Sequence, residues 1–152
     1  MIALRRGGDP LPAAGVAISP WVDLACSGAS FEMNAPFDFV GKEHCLLAAA
    51  NYLNGLDPRS PDISPLFAQL AGLPPLLIHA GGAEVLVDQI NAFAVRAQEA
   101  GVDVRLAVYA DMVHVWHMMR HVALDAQRAI DEIGSFVRQH TERGGGAKAS
   151  RS

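Results

Sequence analysis

Glu84 and His114 are the residues of this chain whose types and settings could do chemistry together. Glu84 comes just after the apolar run Pro75–Ala80 and the pair Gly81-Gly82. His114 follows the run Val102–Tyr109. Both runs read as buried strands, with a helix-like stretch between them, so the order is strand, acid, helix, strand, histidine. A carboxylate held against one imidazole nitrogen fixes the ring's tautomer and stabilises the imidazolium. The other nitrogen can then take a proton from a hydroxyl as that oxygen attacks a carbonyl. The third member of such a set is absent from the 152 residues. No G-x-S-x-G occurs, and Ser19, Ser27 and Ser64 lack the flanking glycines of a strand-to-helix elbow.

Several residues compete for these roles. Asp88 is four residues beyond Glu84, but it stands at the start of a helix, where a carboxylate caps free N–H groups, so Glu84 is preferred as the acid. His114, His117 and His121 make H-x-x-H-x-x-x-H, whose members would share one face of a helix and could hold zinc. Two points weigh against a metal site: H-E-x-x-H is absent, and His114 stands ahead of the helix. No metal or cofactor is therefore expected. His79, inside an apolar strand, reads as a hydrogen-bonded core histidine. Trp21, Phe31, Phe37 and Phe39 read equally well as core or as the apolar wall of a pocket.

The elements that must position the pair are legible from periodicity. Met1–Arg6 reads as the end of a helix stopped at Gly7. Ala13–Ser19 is a short continuous apolar run, as in a strand covered on both faces. Residues 22–42 lack a sustained period. Glu43–Leu53 reads as a helix with Leu46, Leu47, Ala50 and Leu53 inward, forming with the next loop a wall beside a pocket. From Asp88, Ile90, Phe93, Ala94 and Ala97 follow helical spacing up to a cap at Gly101. Val102–Tyr109 alternates, as expected near a sheet edge. A last helix spans about His121–His140, with Ala126, Ala129, Ile130, Ile133 and Val137 inward. The pattern predicts an α/β domain over 1–140 with a mainly parallel sheet of about three strands flanked by helices. Thr141–Ser152, rich in Gly, Ala and Ser, is expected to be a disordered tail. In such sheets ligands bind beyond the carboxyl ends of the strands, and both Glu84 and His114 fall on that side.

A net charge of -4 gives no electrostatic case for nucleic acid or an anionic membrane surface. No apolar run approaches the roughly 20 residues that span a bilayer, and the N-terminal apolar stretch is too short for a signal peptide. Cys26 and Cys45 fit no metal spacing and read as a reduced pair, so a cytoplasmic location is expected.

Three segments then carry a resemblance: Gly15-Val16-Ala17-Ile18-Ser19-Pro20-Trp21-Val22-Asp23-Leu24, the stretch Leu73–Asp88, and Ala100–Val104 with Met112-Val113-His114-Val115-Trp116. In this order they resemble the C-terminal half of α/β-hydrolases, specifically bacterial carboxylesterases of the hormone-sensitive-lipase-like family, over roughly residues 8–138. The resemblance implies Glu84 as triad acid and His114 as triad base of a serine esterase or lipase-like hydrolase. It also implies that the nucleophile elbow and the oxyanion-hole motif lie upstream of a truncated segment. The chain alone would then be inactive, and an ester substrate would be its partner only once the upstream half is supplied. An alternative is a non-catalytic remnant or interaction module, self-associating through the edge of its first strand.

Overall fold

The structure is a computed structural model that describes residues 1–145. The elements run α1 (Ile2–Gly7), β1 (Gly15–Ile18), α2 (Ser30–Met33), α3 (Lys42–Leu53), β2 (Leu76–Gly81), α4 (Val87–Glu99), β3 (Val104–Tyr109) and α5 (Leu124–Gly145). Short 3-10 turns lie at Pro65–Phe67 and Trp116–Met119.

The three strands form one parallel sheet in the order β1-β2-β3. The register pairs Ile18 with His79, and Gly81 with Tyr109. The central strand β2 is buried at all six positions, which is why its sequence is apolar without alternation. β1 departs from expectation. It lies at an edge, its burial alternates, and Val16 and Ile18 are 36% and 38% exposed, so it is not covered on both faces. A four-residue apolar run is too short for alternation to be read from sequence.

Helices cover both faces. On one, Leu76, Ile78 and Ala80 of β2 pack with Ile90, Phe93, Ala94 and Ala97 of α4. Those four residues recur at i, i+3, i+4 and i+7, the stripe that makes this segment helical and commits it to the sheet. Gly101 at φ 78 follows the helix and turns the chain into β3. Fully burying one such Ile or Phe contributes roughly 1.5–3 kcal/mol. On the other face, Trp116 packs with Ala126 and Ala129 of α5.

Three sequence expectations need correction here. In α3 the buried stripe is Cys45, Ala49 and Leu53, whereas Leu46 and Leu47 are 45% and 64% exposed and Ala50 is also exposed. Both stripes satisfy helical spacing, and tertiary contact selected the one with smaller side chains. α5 starts at Leu124, after the 3-10 turn, and at its far end Phe136 rather than Val137 is buried. The helix also continues through Thr141–Gly145, within the stretch expected to be disordered; the Thr141 hydroxyl donates to the Val137 carbonyl at 2.9 Å. Residues 146–152 of the expected tail lie outside the described residues.

Candidate active site

Glu84 and His114 occupy the loops leaving the carboxyl ends of β2 and β3. Two glycines let these loops meet. A Cβ on Gly81 would stand 2.2 Å from the Met112 carbonyl oxygen, and one on Gly82 2.3 Å from that of Ala110. With no side chains there, Gly82 N–H donates to the Tyr109 carbonyl at 2.8 Å and Ala83 N–H to that of Met112 at 3.0 Å. The close approach brings Glu84 Oε2 to 3.4 Å from His114 Nδ1. This is an ion-pair distance, longer and less aligned than a tight hydrogen bond. Glu84 is fully buried, and neither of its side-chain oxygens has a hydrogen-bond partner among the described residues. A buried carboxylate is costly without a charge partner or donors, and the imidazole is the group placed to compensate it.

The His114 ring is 22% exposed, and Phe39 meets it edge-on at 6.0 Å. Nε2 is the nitrogen not turned to Glu84. The ring lines an apolar cavity of about 260 Å³ together with Trp21, Val40, His44, Cys45, Ala48 and Leu86. Helix α3 thus forms a pocket wall, as its sequence suggested. A second apolar cavity of similar size, beneath α1, includes neither Glu84 nor His114 in its lining.

Sequence reasoning missed the residues that tie the two loops together. Asp38 accepts the Val85 N–H on Oδ2 at 2.9 Å and the His114 N–H on Oδ1 at 3.3 Å. Asn34 Nδ2 donates to the Gly82 and Glu84 carbonyls at 3.1 and 2.8 Å. Ser19 Oγ accepts the Val115 N–H at 3.1 Å. Ser19 and Val115 both have positive φ, 45° and 51°, a conformation that a β-branched residue adopts only under strong local constraint. No periodicity marks these positions; the polar residues of 19–38 were the only available signal.

The other candidates go elsewhere. Asp88 does not cap its own helix as expected; its Oδ2 accepts the Ser30 N–H at 2.8 Å, holding the start of α2. Ser64 Oγ accepts the Leu24 N–H and donates to the Pro58 carbonyl, a structural role. Phe31 is core, Trp21 lines the cavity, and Phe37 and Phe39 are about two-thirds exposed. Cys26 and Cys45 are free and buried; burial pushes the Cys26 thiol up to about 11 and raises that of Cys45, so neither is an activated nucleophile.

The three histidines of H-x-x-H-x-x-x-H do not converge. His114 faces Glu84, His121 is exposed, and His117 Nε2 lies 3.0 Å from His79 Nδ1. His79 is the buried, partnered histidine expected of its strand. Its Nε2 stands 3.3 Å from Glu132 Oε2, and Glu132 also receives Tyr109 OH at 3.0 Å and the Arg105 guanidinium at 2.6 Å. Burial lowers the pKa of His79, and burial with the neighbouring His79 lowers that of His117 to about 4; burial and Glu132 push the Tyr109 phenol up to about 12.

Comparison with known proteins gives consistent likenesses. A family model described as the alpha/beta hydrolase fold matches residues 1–118. The chain is 45% identical over 143 residues to an acetyl-hydrolase of Streptomyces hygroscopicus, covering 93% of this chain and 48% of that protein. It is 30% identical over 138 residues to an esterase of Acinetobacter venetianus, covering 90% and 46%. Among solved structures, an esterase of the bacterial hormone-sensitive lipase family shares 48% identity at a TM-score of 0.88, over 91% of this chain and 47% of that one. The chain spans about half the length of the curated relatives it matches. Among the described residues, no helix is long and apolar enough to cross a membrane.

Proposed function

The chain belongs to the alpha/beta hydrolase family, and from that premise we propose that it supplies the acid and base of a serine carboxylic-ester hydrolase. Glu84 is the acid, His114 the base, and the nucleophilic serine and oxyanion donors come from polypeptide outside these 152 residues. The observation that carries the reading is the 3.4 Å approach of a buried carboxylate to an imidazole on the shared rim of a parallel sheet. Esterase and acetyl-hydrolase relatives support it.

In this reading His114 Nε2 takes the serine proton as the serine oxygen bonds to the ester carbonyl carbon. It then returns that proton to the departing alcohol as the ester C–O bond breaks. Water repeats the sequence on the acyl-enzyme, releasing the acid and restoring the serine. Glu84 holds the Nδ1 proton in place and stabilises the imidazolium in both halves. The apolar cavity beside His114 suits a small or medium acyl or alcohol group. The free, buried thiols fit a reducing compartment, and we assign the protein to the cytoplasm.

The test is reconstitution. The chain, fused to or mixed with the serine-elbow half of a related esterase, is assayed with a p-nitrophenyl acetate substrate. Hydrolysis that vanishes on His114→Ala supports the proposal; hydrolysis indifferent to that change contradicts it. The edge position of β1, with Val16 and Ile18 exposed, favours a second reading in which this edge pairs with another copy of the chain. Light scattering decides it: a concentration-dependent dimer supports pairing, and a monomer with β1 amides protected contradicts it.

A further inference from the structure

We propose that Asp38 is a positioning residue for the His114–Glu84 pair, acting as a carboxylate clasp that locks the acid loop and the base loop into one register. The inference rests on the reading of that pair as acid and base, and it assigns a task to a residue that touches neither side chain of the pair.

The clasp is made through the backbone. Asp38 Oδ2 takes the N–H of Val85, the residue next to the acid, and Oδ1 takes the N–H of the base itself. The two bonds reach across 47 and 76 residues of sequence. One rigid carboxylate thus fixes the separation of two loops that leave different strands. Hydrogen bonds to a charged acceptor are stronger than neutral ones, and here they add to the two backbone bonds by which the loops already meet, from Gly82 N–H to the Tyr109 carbonyl and from Ala83 N–H to the Met112 carbonyl. The acid and base side chains gain little directional help from their own contact at 3.4 Å, because neither carboxylate oxygen of Glu84 nor His114 Nδ1 has a hydrogen bond of good geometry among the described residues. Orientation must come from the main chain, and Asp38 is the side chain that holds both main-chain segments.

Asp38 is itself held. Its Oδ1 also accepts the Val40 N–H at 3.4 Å, a local turn that fixes the side chain. Just before it, Asn34 grips the Gly82 and Glu84 carbonyls, and just after it Phe39 sits edge-on to the imidazole. The segment 34–39 therefore bears on the acid loop from carbonyl and amide sides and on the base from its backbone and ring. Loss of the Asp38 acceptors would leave the fold's core intact, since Asp38 belongs to none of its apolar clusters, while loosening the backbone at Val85 and His114, the two positions that aim the acid and base.

The experiment uses the full chain labelled with 15N and compares wild type with Asp38→Ala, Asp38→Asn and Glu84→Gln. Two readouts are taken: amide exchange at Val85 and His114, and the imidazole nitrogen shifts that report which nitrogen of neutral His114 carries the proton. In wild type the proton is expected on Nδ1, facing Glu84, whereas imidazoles in water favour Nε2–H. Asp38→Ala is expected to speed exchange at Val85 and His114 roughly tenfold or more and to shift His114 toward the Nε2–H tautomer, with β2 amides little changed. Asp38→Asn, nearly isosteric and still an acceptor through one oxygen, is expected to fall between, and it serves if the alanine variant does not fold. A merely structural role would lower global stability without moving the tautomer. If Glu84→Gln shifts the tautomer and neither Asp38 variant does, the positioning role is overturned while the acid–base reading stands. If Glu84→Gln shifts nothing, the acid–base reading and the clasp fall together.

Discussion

Acidification should destabilise this fold through one buried imidazole pair. His79 Nδ1 and His117 Nε2 share one proton across 3.0 Å, and with the His79 proton on Nε2, the side that faces Glu132 Oε2 at 3.3 Å, His79 Nδ1 is the acceptor and His117 Nε2–H the donor. Neither ring can take another proton without placing charge in the space between β2, α5 and the turn that follows His114, where His117 is 7% exposed and His79 is fully buried. The groups facing the pair are Glu132 from α5 and Arg105 and Tyr109 from β3; the carboxylate favours protonation, but burial outweighs it. The folded chain withholds a proton from His117 until about pH 4, whereas an unfolded chain takes it near 6.5. Between those values the unfolded state binds more protons, so stability falls as pH falls through the window and levels off below it. A shift of this size corresponds to on the order of 3 kcal/mol, a large share of a marginal total. His79, also lowered, adds in the same direction. Urea unfolding at pH values from 7 to 4 should show this loss in wild type. In His117→Gln, which keeps a donor toward His79 but cannot titrate, the total loss over this range should be smaller by about that amount, while the carboxylate contributions common to both proteins cancel. Parallel curves for the two proteins would refute the assignment.

Two further outcomes follow from the packing. Gly82→Ala places a Cβ against the Ala110 carbonyl, where 2.3 Å is available. It should lower stability by roughly 2–3 kcal/mol and abolish hydrolysis in the reconstituted enzyme; a midpoint in urea equal to wild type would contradict the close approach. Gln89 Oε1 accepts the N–H groups of Val22 and Asp23, both at 2.8 Å and buried. Gln89→Leu strands both donors and should cost about 2–4 kcal/mol by urea unfolding, whereas a change below about 0.5 kcal/mol would show that those amides find other partners.

Much of this was readable in one dimension, and the failures have a common cause. β2 and β3 announced themselves through apolar runs, α4 through its i, i+3, i+4, i+7 stripe, and the meeting of Glu84 and His114 on one rim through their place just after adjacent strands. Asp38, Asn34 and the Ser19 hydroxyl were invisible because they act through single long-range bonds to backbone groups, which leave no period behind. The α3 face was misread for a related reason: Leu46 and Leu47 match helical spacing as well as Cys45 and Ala49 do, and hydrophobicity alone ranks the leucines first. The surface that contacts α3 decides, and that surface is assembled from residues distant in sequence.

The most direct test of Glu84 and His114 as a single acid–base unit is a double-mutant cycle on kcat in the reconstituted enzyme, comparing Glu84→Gln, His114→Ala and the double variant. Loss of the base should lower kcat by about 10⁴-fold or more, and the double variant should be scarcely worse, because residues that act as a unit are not additive. Losses that multiply independently, or a Glu84→Gln enzyme with wild-type kcat, would contradict the pairing on which the proposed function stands.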